Sequence, residues 1–277
     1  PLVTGVQTCA LPILMSDTFT HLTGGNKGYS VHGKESKYIE WVKDPSLEVS
    51  FYVDDTIPTA FRDNVSGKKY AWLLESKYIK PGIVNAVKTN YKKYLDTFEA
   101  IFTHNQELLA LDPRFKWCPA QGFWIKDPKI CEKSKMISMI SSDKALTEGQ
   151  KYRLQWVEMI GDQLDLYGRG FNEIANKEEG LCDYMFSVVI ENGFYESYFT
   201  EKIMDCFATG TVPVYMGSPD IGKYFNKDGI IDLTEEFDVS EEIYNSKMDA
   251  IKDNLERVKQ YEVLEDFIYL NYFGDEE

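Results

Sequence analysis

The chain has 277 residues, of which 30 are Lys or Arg and 45 are Asp or Glu, so its formal net charge is −15. This length is enough for about two domains, and a composition with 43% hydrophobic and 14% aromatic residues excludes wholesale disorder. The net acidity excludes nucleic acid as a general partner, because binding a phosphate backbone requires a surplus of Lys and Arg.

The first 14 residues, PLVTGVQTCALPIL, contain no charged side chain. A secretory signal peptide has a positive segment before its apolar stretch, so this segment does not match one. We interpret residues 1–14 as a non-native prefix of the kind that adapter read-through produces, with Met15 as the natural start. No apolar run approaches the roughly 18 residues of a membrane span, so we expect no transmembrane segment.

The next part of the chain alternates between strand-like and helix-like patterns. Three segments are typical of strands, namely Val49–Val53, Tyr70–Leu74 and Ala100–Thr103. Between the last two, Ile83–Phe98 carries apolar residues at helical spacing. This order predicts an α/β domain over residues 15–128.

The alternation is clearer from Lys135 onward. A Thr followed three residues later by Gln predicts a capping box at Thr147, and Thr200 predicts a second helix start that ends at Gly210. Five segments are predicted as strands: Lys135–Ser141, Gln163–Tyr167, Met185–Ile190, Thr211–Tyr215 and Gly229–Leu233. Repeated β-α-β units predict a Rossmann-like domain over residues 129–277, and in two-domain α/β proteins the ligand usually lies between the domains, at the carboxyl ends of strands.

The end of the chain is strongly acidic. From Asp232 to Glu277 there are 15 acidic and four basic residues. We interpret this region as a helical, solubilising tail, with Met248–Leu264 as a solvated helix.

Cysteine and histidine spacing argues against a metal centre. The five cysteines contain no C-x-x-C pair, which favours reduced thiols and a cytoplasmic location: Cys9, Cys118, Cys131, Cys182 and Cys206. The three histidines are scattered without ligand spacing: His21, His32 and His104. There is also no Asp-x-Asp pair in the chain.

The candidate chemistry lies where strands meet helices. Lys202 falls in the first turn of a predicted helix, where the macrodipole disfavours a cation unless an anion is near. Together with Arg153 and Arg169 it forms a set of cations that suits a diphosphate. The alternative for Lys202 is a solvated surface lysine, and Asn192, which follows a buried strand, has the alternative of an Asx-turn.

The segment from Phe186 to Gly217 resembles the C-terminal motif of the α1,3/4-fucosyltransferases, glycosyltransferase family 10. The matching elements are Glu191-Asn192, Tyr198-Phe199-Thr200-Glu201-Lys202 and Val212-Pro213-Val214-Tyr215-Met216-Gly217. The resemblance extends over about Lys135–Leu233. It implies a GT-B fold with two Rossmann-like domains facing across a cleft, and inverting, metal-independent transfer from a GDP-fucose donor to a glycan acceptor.

The resemblance also implies residue roles. Arg153 and Lys202 correspond to residues that hold the diphosphate, and the family's ribose and fucose contacts fall on Asn192, Tyr198 and Glu201. The catalytic base would be Glu75, in a Glu-Ser-Pro element whose Pro is replaced here by Lys77. The alternative for Glu75 is a surface carboxylate at the end of a strand.

Two other functions remain open from the sequence. One is a related GT-B transferase that uses another nucleotide sugar, since the loop from Gly193 to Ser197 differs from the usual family text. The other is a catalytically inactive protein that binds a nucleotide sugar.

Overall fold

The computed structural model describes residues 11–15, 34–42 and 46–274. These residues form two compact units. The first contains the described residues through Glu75, then Lys80–Cys118 and the segment from Val263, and the second contains Ser76–Ile79 and Pro119–Glu262. The predicted division into 15–128 and 129–277 therefore differs from the observed one, because the chain crosses between the units more than once.

The first unit is built on a parallel six-stranded sheet in the order β2-β1-β3-β4-β5-β6. Its strands are β1 (Leu11–Met15), β2 (Ile39–Val42), β3 (Val49–Val53), β4 (Lys68–Leu73), β5 (Ala100–Thr103) and β6 (Phe115–Trp117). A 3-10 helix (Asp54–Phe61) and the helices α1 (Pro81–Thr89), α2 (Tyr91–Leu95) and α3 (Gln106–Leu109) connect them. The core of this unit includes Tyr52, Leu73 and Ile101 from the strands, and Val84 and Val87 from α1.

Two predictions for this unit need correction. Leu11–Met15 pairs with β2 and β3, so excluding residues 1–14 from the fold is wrong for Leu11–Leu14. An uncharged, apolar segment suits an interior parallel strand as well as it suits a foreign prefix. The predicted helix Ile83–Phe98 is interrupted at Asn90, whose φ of −120° and ψ of 29° are not helical.

The second unit has a parallel five-stranded sheet in the order β11-β10-β9-β7-β8. Its strands are β7 (Lys135–Ile140), β8 (Asp165–Tyr167), β9 (Tyr184–Ile190), β10 (Val212–Met216) and β11 (Ile231–Asp232), and its helices are α4 (Glu148–Ile160), α5 (Glu201–Thr209), α6 (Glu241–Ser246) and α7 (Met248–Val258). After β8 the chain returns past β7 to form β9 on the other side. The carboxyl ends of β7 and β9 are therefore the switch point of the sheet, where open α/β folds bind ligands.

Local signals of the second unit are confirmed. Thr147 and Gln150 form the capping box of α4, Thr200 caps α5, and Gly210 ends α5 with a φ of 70°. β9 is buried along nearly its whole length, as its continuous apolar sequence predicts.

The acidic C-terminal region is not a solvated tail. α7 packs against α5 and buries Ala250, Ile251, Asn254 and Val258, so the predicted solvated helix Met248–Leu264 is wrong. Its charges occupy one face only, and the opposite face closes the core. After a 3-10 turn, α8 (Leu264–Tyr272) joins the first unit, where Glu265 Oε1 accepts a hydrogen bond from Trp41 Nε1 at 3.0 Å.

The cysteines also differ from the expectation of five reduced thiols. Cys131 and Cys182 form a disulfide across a Cα–Cα distance of 5.2 Å, although they are far apart in sequence. Cys118 and Cys206 are buried free thiols, and Cys9 lies outside the described residues. Among the helices of the described ranges, none combines the length and apolar character needed to cross a bilayer.

Candidate anion-binding site at the switch point of the second sheet

The junction between β9 and α5 is held by a buried carboxylate. Glu191 follows β9 and is fully buried. Its Oε1 accepts a hydrogen bond from the Thr200 backbone N–H at 2.9 Å, and its Oε2 accepts one from the Thr200 hydroxyl at 2.7 Å. The Thr200 hydroxyl oxygen in turn accepts from the Lys202 backbone N–H at 3.4 Å, as an N-cap does. The side chain of Glu191 thus fixes the start of α5 against the end of β9.

Arg153 reaches the same strand end from α4. It is 5% exposed, and its Nε and Nη2 donate to the Ile190 carbonyl at 3.2 and 2.7 Å. Nη2 also donates to Asn192 Oδ1 at 3.1 Å, so this amide oxygen meets a guanidinium, in contrast to the backbone N–H of an Asx-turn. Nη1 donates no hydrogen bond to any residue that the structure describes, which leaves this amine for a ligand. Burial lowers the pKa of Arg153, and the nearby Glu191 and Glu201 oppose that shift.

Lys202 lies among the carboxylates at the start of α5. Its side chain is 18% exposed, which excludes a freely solvated lysine. Nζ donates to Thr200 Oγ1 at 3.1 Å and to Glu201 Oε1 at 3.0 Å, and it lies 3.8 Å from Glu191 Oε2. Anions near Lys202 therefore offset the unfavourable effect of the helix dipole.

Glu201 carries an unused hydrogen-bond acceptor. This residue is 7% exposed, and its Oε2 is buried without a hydrogen-bond partner in the described parts of the chain. Burial tends to raise the pKa of Glu201, but Lys202 and Lys177 outweigh this effect and lower the pKa to about 2. Because a buried carboxylate oxygen is costly when unpaired, Oε2 indicates a place for a ligand hydroxyl.

Sequence reasoning missed a second buried ion pair beside this one. Lys177 Nζ lies 3.2 Å from Asp205 Oδ2, on the next turn of α5, and 4.8 Å from the centre of the Trp124 ring. Asp205 also accepts from the Trp124 backbone N–H at 2.6 Å. Burial raises the pKa of Asp205 to about 6, although Lys177 opposes the shift. The only local signal was the like-charged pair Glu201 and Asp205, four residues apart, which calls for a nearby cation.

Tyr198 belongs to an aromatic group above α5. It is 3% exposed, and its ring stacks on Tyr195 with centroids 4.6 Å apart and an interplanar angle of 13°. Lys77 places its Nζ 4.7 Å from the Tyr195 ring centre, a cation–π contact. The residue that departs from the Glu-Ser-Pro pattern therefore has a packing role in the second unit.

Arg169 does not join this buried network. Its side chain is 73% exposed, and its Nε lies 4.0 Å from Asp143 Oδ1. A pair this exposed contributes little to stability. Arg153, Asn192, Tyr198, Glu201 and Lys202 thus share one region, whereas Arg169 stands on the surface after β8.

Glu75 is in the first unit, just beyond β4, and is half-buried. Its backbone N–H lies 3.4 Å from both carboxylate oxygens of Asp54, and the Leu74 N–H donates to Asp54 Oδ1 at 3.0 Å. Asp54 is 4% exposed and has a φ of 45°, and burial raises its pKa to about 7. The sequence did not single out Asp54, because its burial and its contact with Glu75 depend on the pairing of β3 with β4.

Metal ligands are not gathered at this site. In residues 11–15, 34–42 and 46–274, no group of three or more His, Cys, Asp or Glu side chains is positioned to hold a metal ion. His104 is buried, while His21 and His32 lie outside the described residues.

Comparisons with known proteins match these features. The family model described as glycosyltransferase family 10 (fucosyltransferase) C-term matches residues 130–273. An alpha-(1,3)-fucosyltransferase of Helicobacter pylori is 39% identical over 64 residues, or 23% of this chain, and a putative fucosyltransferase-like protein of Arabidopsis thaliana is 35% identical over 81 residues, or 27%. The matches cover only 13% and 16% of the lengths of these two relatives.

Solved structures support the architecture. A crystal structure of an alpha1,3-fucosyltransferase has a TM-score of 0.52 and 16% identity, covering 90% of this chain and 81% of that one. A structure of such an enzyme with GDP-fucose has a TM-score of 0.50 and 15% identity, with the same coverage. At this level of identity the likeness shows the fold, and the predicted α/β, GT-B fold class is confirmed.

Proposed function

This chain belongs to glycosyltransferase family 10, the fucosyltransferases, and on that premise we propose that it transfers fucose from GDP-fucose to a hydroxyl group of a glycan acceptor. We further propose that the transfer inverts the anomeric centre and requires no metal ion. The observation that carries the proposal is the buried Arg153 beside Lys202 at the start of α5, where β9 ends. This arrangement suits an anionic diphosphate.

The cations act on the leaving group. As the bond between fucose and GDP breaks, negative charge grows on the diphosphate oxygens. The free Nη1 of Arg153, the ammonium of Lys202 and the first N–H groups of α5 stabilise that charge, and they are held in position before the reaction begins. In this proposal these groups replace a metal ion, and Arg169 adds a more distant, exposed cation.

Hydroxyl groups of the donor have their own partners. The unpartnered Oε2 of Glu201 accepts a ribose or fucose hydroxyl, and its ionised state at neutral pH favours this role. Asn192 and Tyr198 contribute further contacts to the ribose and fucose.

The acceptor hydroxyl must lose its proton as it attacks. We assign this proton to Glu75, acting as the general base. The two Asp54 oxygens that meet the Glu75 backbone N–H support this assignment, because they restrain the backbone of the residue. In an inverting mechanism the attack takes place in a single displacement, so one carboxylate is sufficient.

Substitution of Glu75 tests the base. Glu75→Gln keeps the size of the side chain but removes its ability to accept a proton, so we expect GDP affinity to be retained and transfer to fall by at least 100-fold. Transfer would be measured with GDP-fucose and a panel of lactose, N-acetyllactosamine and N-acetylglucosamine. Unchanged transfer would remove Glu75 from the mechanism.

Substitution of Lys202 tests the phosphate site. We expect Lys202→Ala to weaken GDP binding by at least 10-fold in calorimetric titration, whereas Lys252→Ala, at a 63% exposed position on α7, leaves it unchanged. Equal affinities of the two variants would return Lys202 to a structural role. Turnover with GDP-mannose or a UDP-sugar, but not with GDP-fucose, would favour the related GT-B transferase.

The proposed cytoplasmic location has lost one of its supports. It relied in part on five reduced thiols, and the Cys131–Cys182 disulfide removes that argument.

A further inference from the structure

A separate cavity of about 420 Å³ lies at the carboxyl ends of β10 and β11. Met216 and Gly217 form the wall at the end of β10, and Ile230 and Asp232 form the wall at β11. Phe194, from the loop that follows β9, contributes an aromatic side chain that is 36% exposed. The volume is in the range of small-molecule sites.

This cavity borders the anion site. A Cβ on Gly217 would lie 2.7 Å from Glu191 Cγ and 2.1 Å from the Tyr215 hydroxyl oxygen, so only glycine allows this close approach. On the other side, the Phe194 ring packs edge-on against Tyr152 of α4, with centroids 6.1 Å apart. The cavity therefore shares Glu191 and α4 with the residues assigned to the diphosphate.

The polar groups of the cavity differ from those of the anion site. Asp232 Oδ1 accepts hydrogen bonds from the Thr234 N–H at 2.8 Å and from the Thr234 hydroxyl at 2.6 Å. Asp232 Oδ2 remains available as an acceptor. Lys227, also in the lining, makes no ion pair with a residue of the described ranges, so its ammonium remains available as a donor.

These groups suit an uncharged, hydroxyl-bearing ring. One carboxylate and one ammonium cancel in charge, so the cavity has no excess of cations with which to hold a phosphate. Sugar hydroxyls both donate and accept hydrogen bonds, which Asp232 and Lys227 satisfy in turn. The C–H face of a pyranose is apolar and packs against Phe194, Met216 and Ile230.

We propose that this cavity binds the pyranose ring of the nucleotide sugar while Arg153 and Lys202 hold the diphosphate. This assignment rests on the proposed function, because it needs a nucleotide sugar as the donor. In it, Asp232 and Lys227 are specificity-determining residues for the hydroxyl pattern of the sugar.

The test compares GDP with GDP-fucose by calorimetric titration of the full chain. Ile230→Trp fills the cavity, and we expect it to weaken GDP-fucose binding by at least 10-fold, or about 1.4 kcal/mol, while GDP affinity changes less than twofold. Asp232→Asn preserves the shape, and we expect a loss of 3- to 10-fold for GDP-fucose alone. Met159→Trp, at a position on α4 that is 67% exposed, is the matched control for a new surface aromatic.

Each outcome decides the matter. Equal losses for GDP and GDP-fucose would place the nucleoside in the cavity and overturn the proposal. Unchanged affinities in both variants would also overturn it, and the isosteric Asp232→Asn gives this result even if Ile230→Trp does not fold. A wild-type chain that binds neither GDP nor GDP-fucose would refute the proposed function itself, whereas tight GDP binding with altered variants would leave it intact.

Discussion

Replacing Asp54 by Asn should make the protein more stable at alkaline pH than the wild type, relative to the same comparison at acidic pH. Asp54 is buried, and burial raises its pKa from 3.8 to about 7, with the Glu75 carboxylate acting in the same direction. The native state therefore keeps a proton that the unfolded chain releases between these two pH values. The contribution of Asp54 to stability is complete below pH 3.8 and is lost as the pH rises to about 7.

The magnitude follows from the same two pKa values. At 1.36 kcal/mol per pH unit, the full difference between 3.8 and about 7 corresponds to roughly 4 kcal/mol. Between pH 5 and pH 8.5 the wild type loses the part that lies above pH 5, about 3 kcal/mol. Asn does not ionise, keeps an oxygen for the Leu74 N–H, and tolerates the φ of 45° at this position.

The assay is urea-induced unfolding of wild type and Asp54→Asn at pH 5 and pH 8.5. The free energy of unfolding of the variant, minus that of the wild type, should rise by about 3 kcal/mol between the two pH values. Asp55→Asn is the matched control, because Asp55 is 56% exposed and is paired with Lys80 at the surface. A difference that stays constant within about 0.5 kcal/mol would refute the reasoning about Asp54.

Three further predictions concern the second unit. Thr200→Val removes the cap of α5 and a hydrogen bond to Glu191, and we expect a loss of about 1–2 kcal/mol in urea unfolding, with no measurable loss contradicting the capping role. Lys177→Met leaves Asp205 buried without its cation, so we expect a loss of about 3–5 kcal/mol at pH 8 and less at pH 5, where Asp205 is protonated; a loss independent of pH, or an equal loss in the exposed Lys129→Met, would argue against the ion pair. Transferase activity should survive EDTA, and loss of activity that added Mn²⁺ or Mg²⁺ restores would contradict metal-independent transfer.

Local patterns in the sequence were sufficient for many elements. Val49–Val53 and Ala100–Thr103 are strands with the predicted limits, and Thr147, Thr200 and Gly210 act as the predicted caps. These features depend on residues within one turn or one strand of each other, so a short stretch of sequence contains the information. The same reasoning identified Arg153, Asn192 and Lys202, because the motif places each of them at the end of a predicted strand or in a predicted helix.

The rest required contacts between residues far apart in the chain. Asp54 and Lys177 carry no local sign of their partners, since Asp54 meets Glu75 through strand pairing and Lys177 meets Asp205 from another element. Arg169 resembled the other cations in sequence, yet its side chain is exposed. Burial decides whether a charge matters, and burial is a property of the folded chain.

By itself, the sequence determined the order of strands and helices, the helix caps and the family motif from Glu191 to Gly217. Only the tertiary structure decided that Leu11–Met15 enters a sheet, that α8 joins the first unit, and that α7 closes a core. The physical reason is that secondary-structure periodicity and capping act over a few residues, whereas strand pairing, burial and charge compensation depend on which distant segments share a surface.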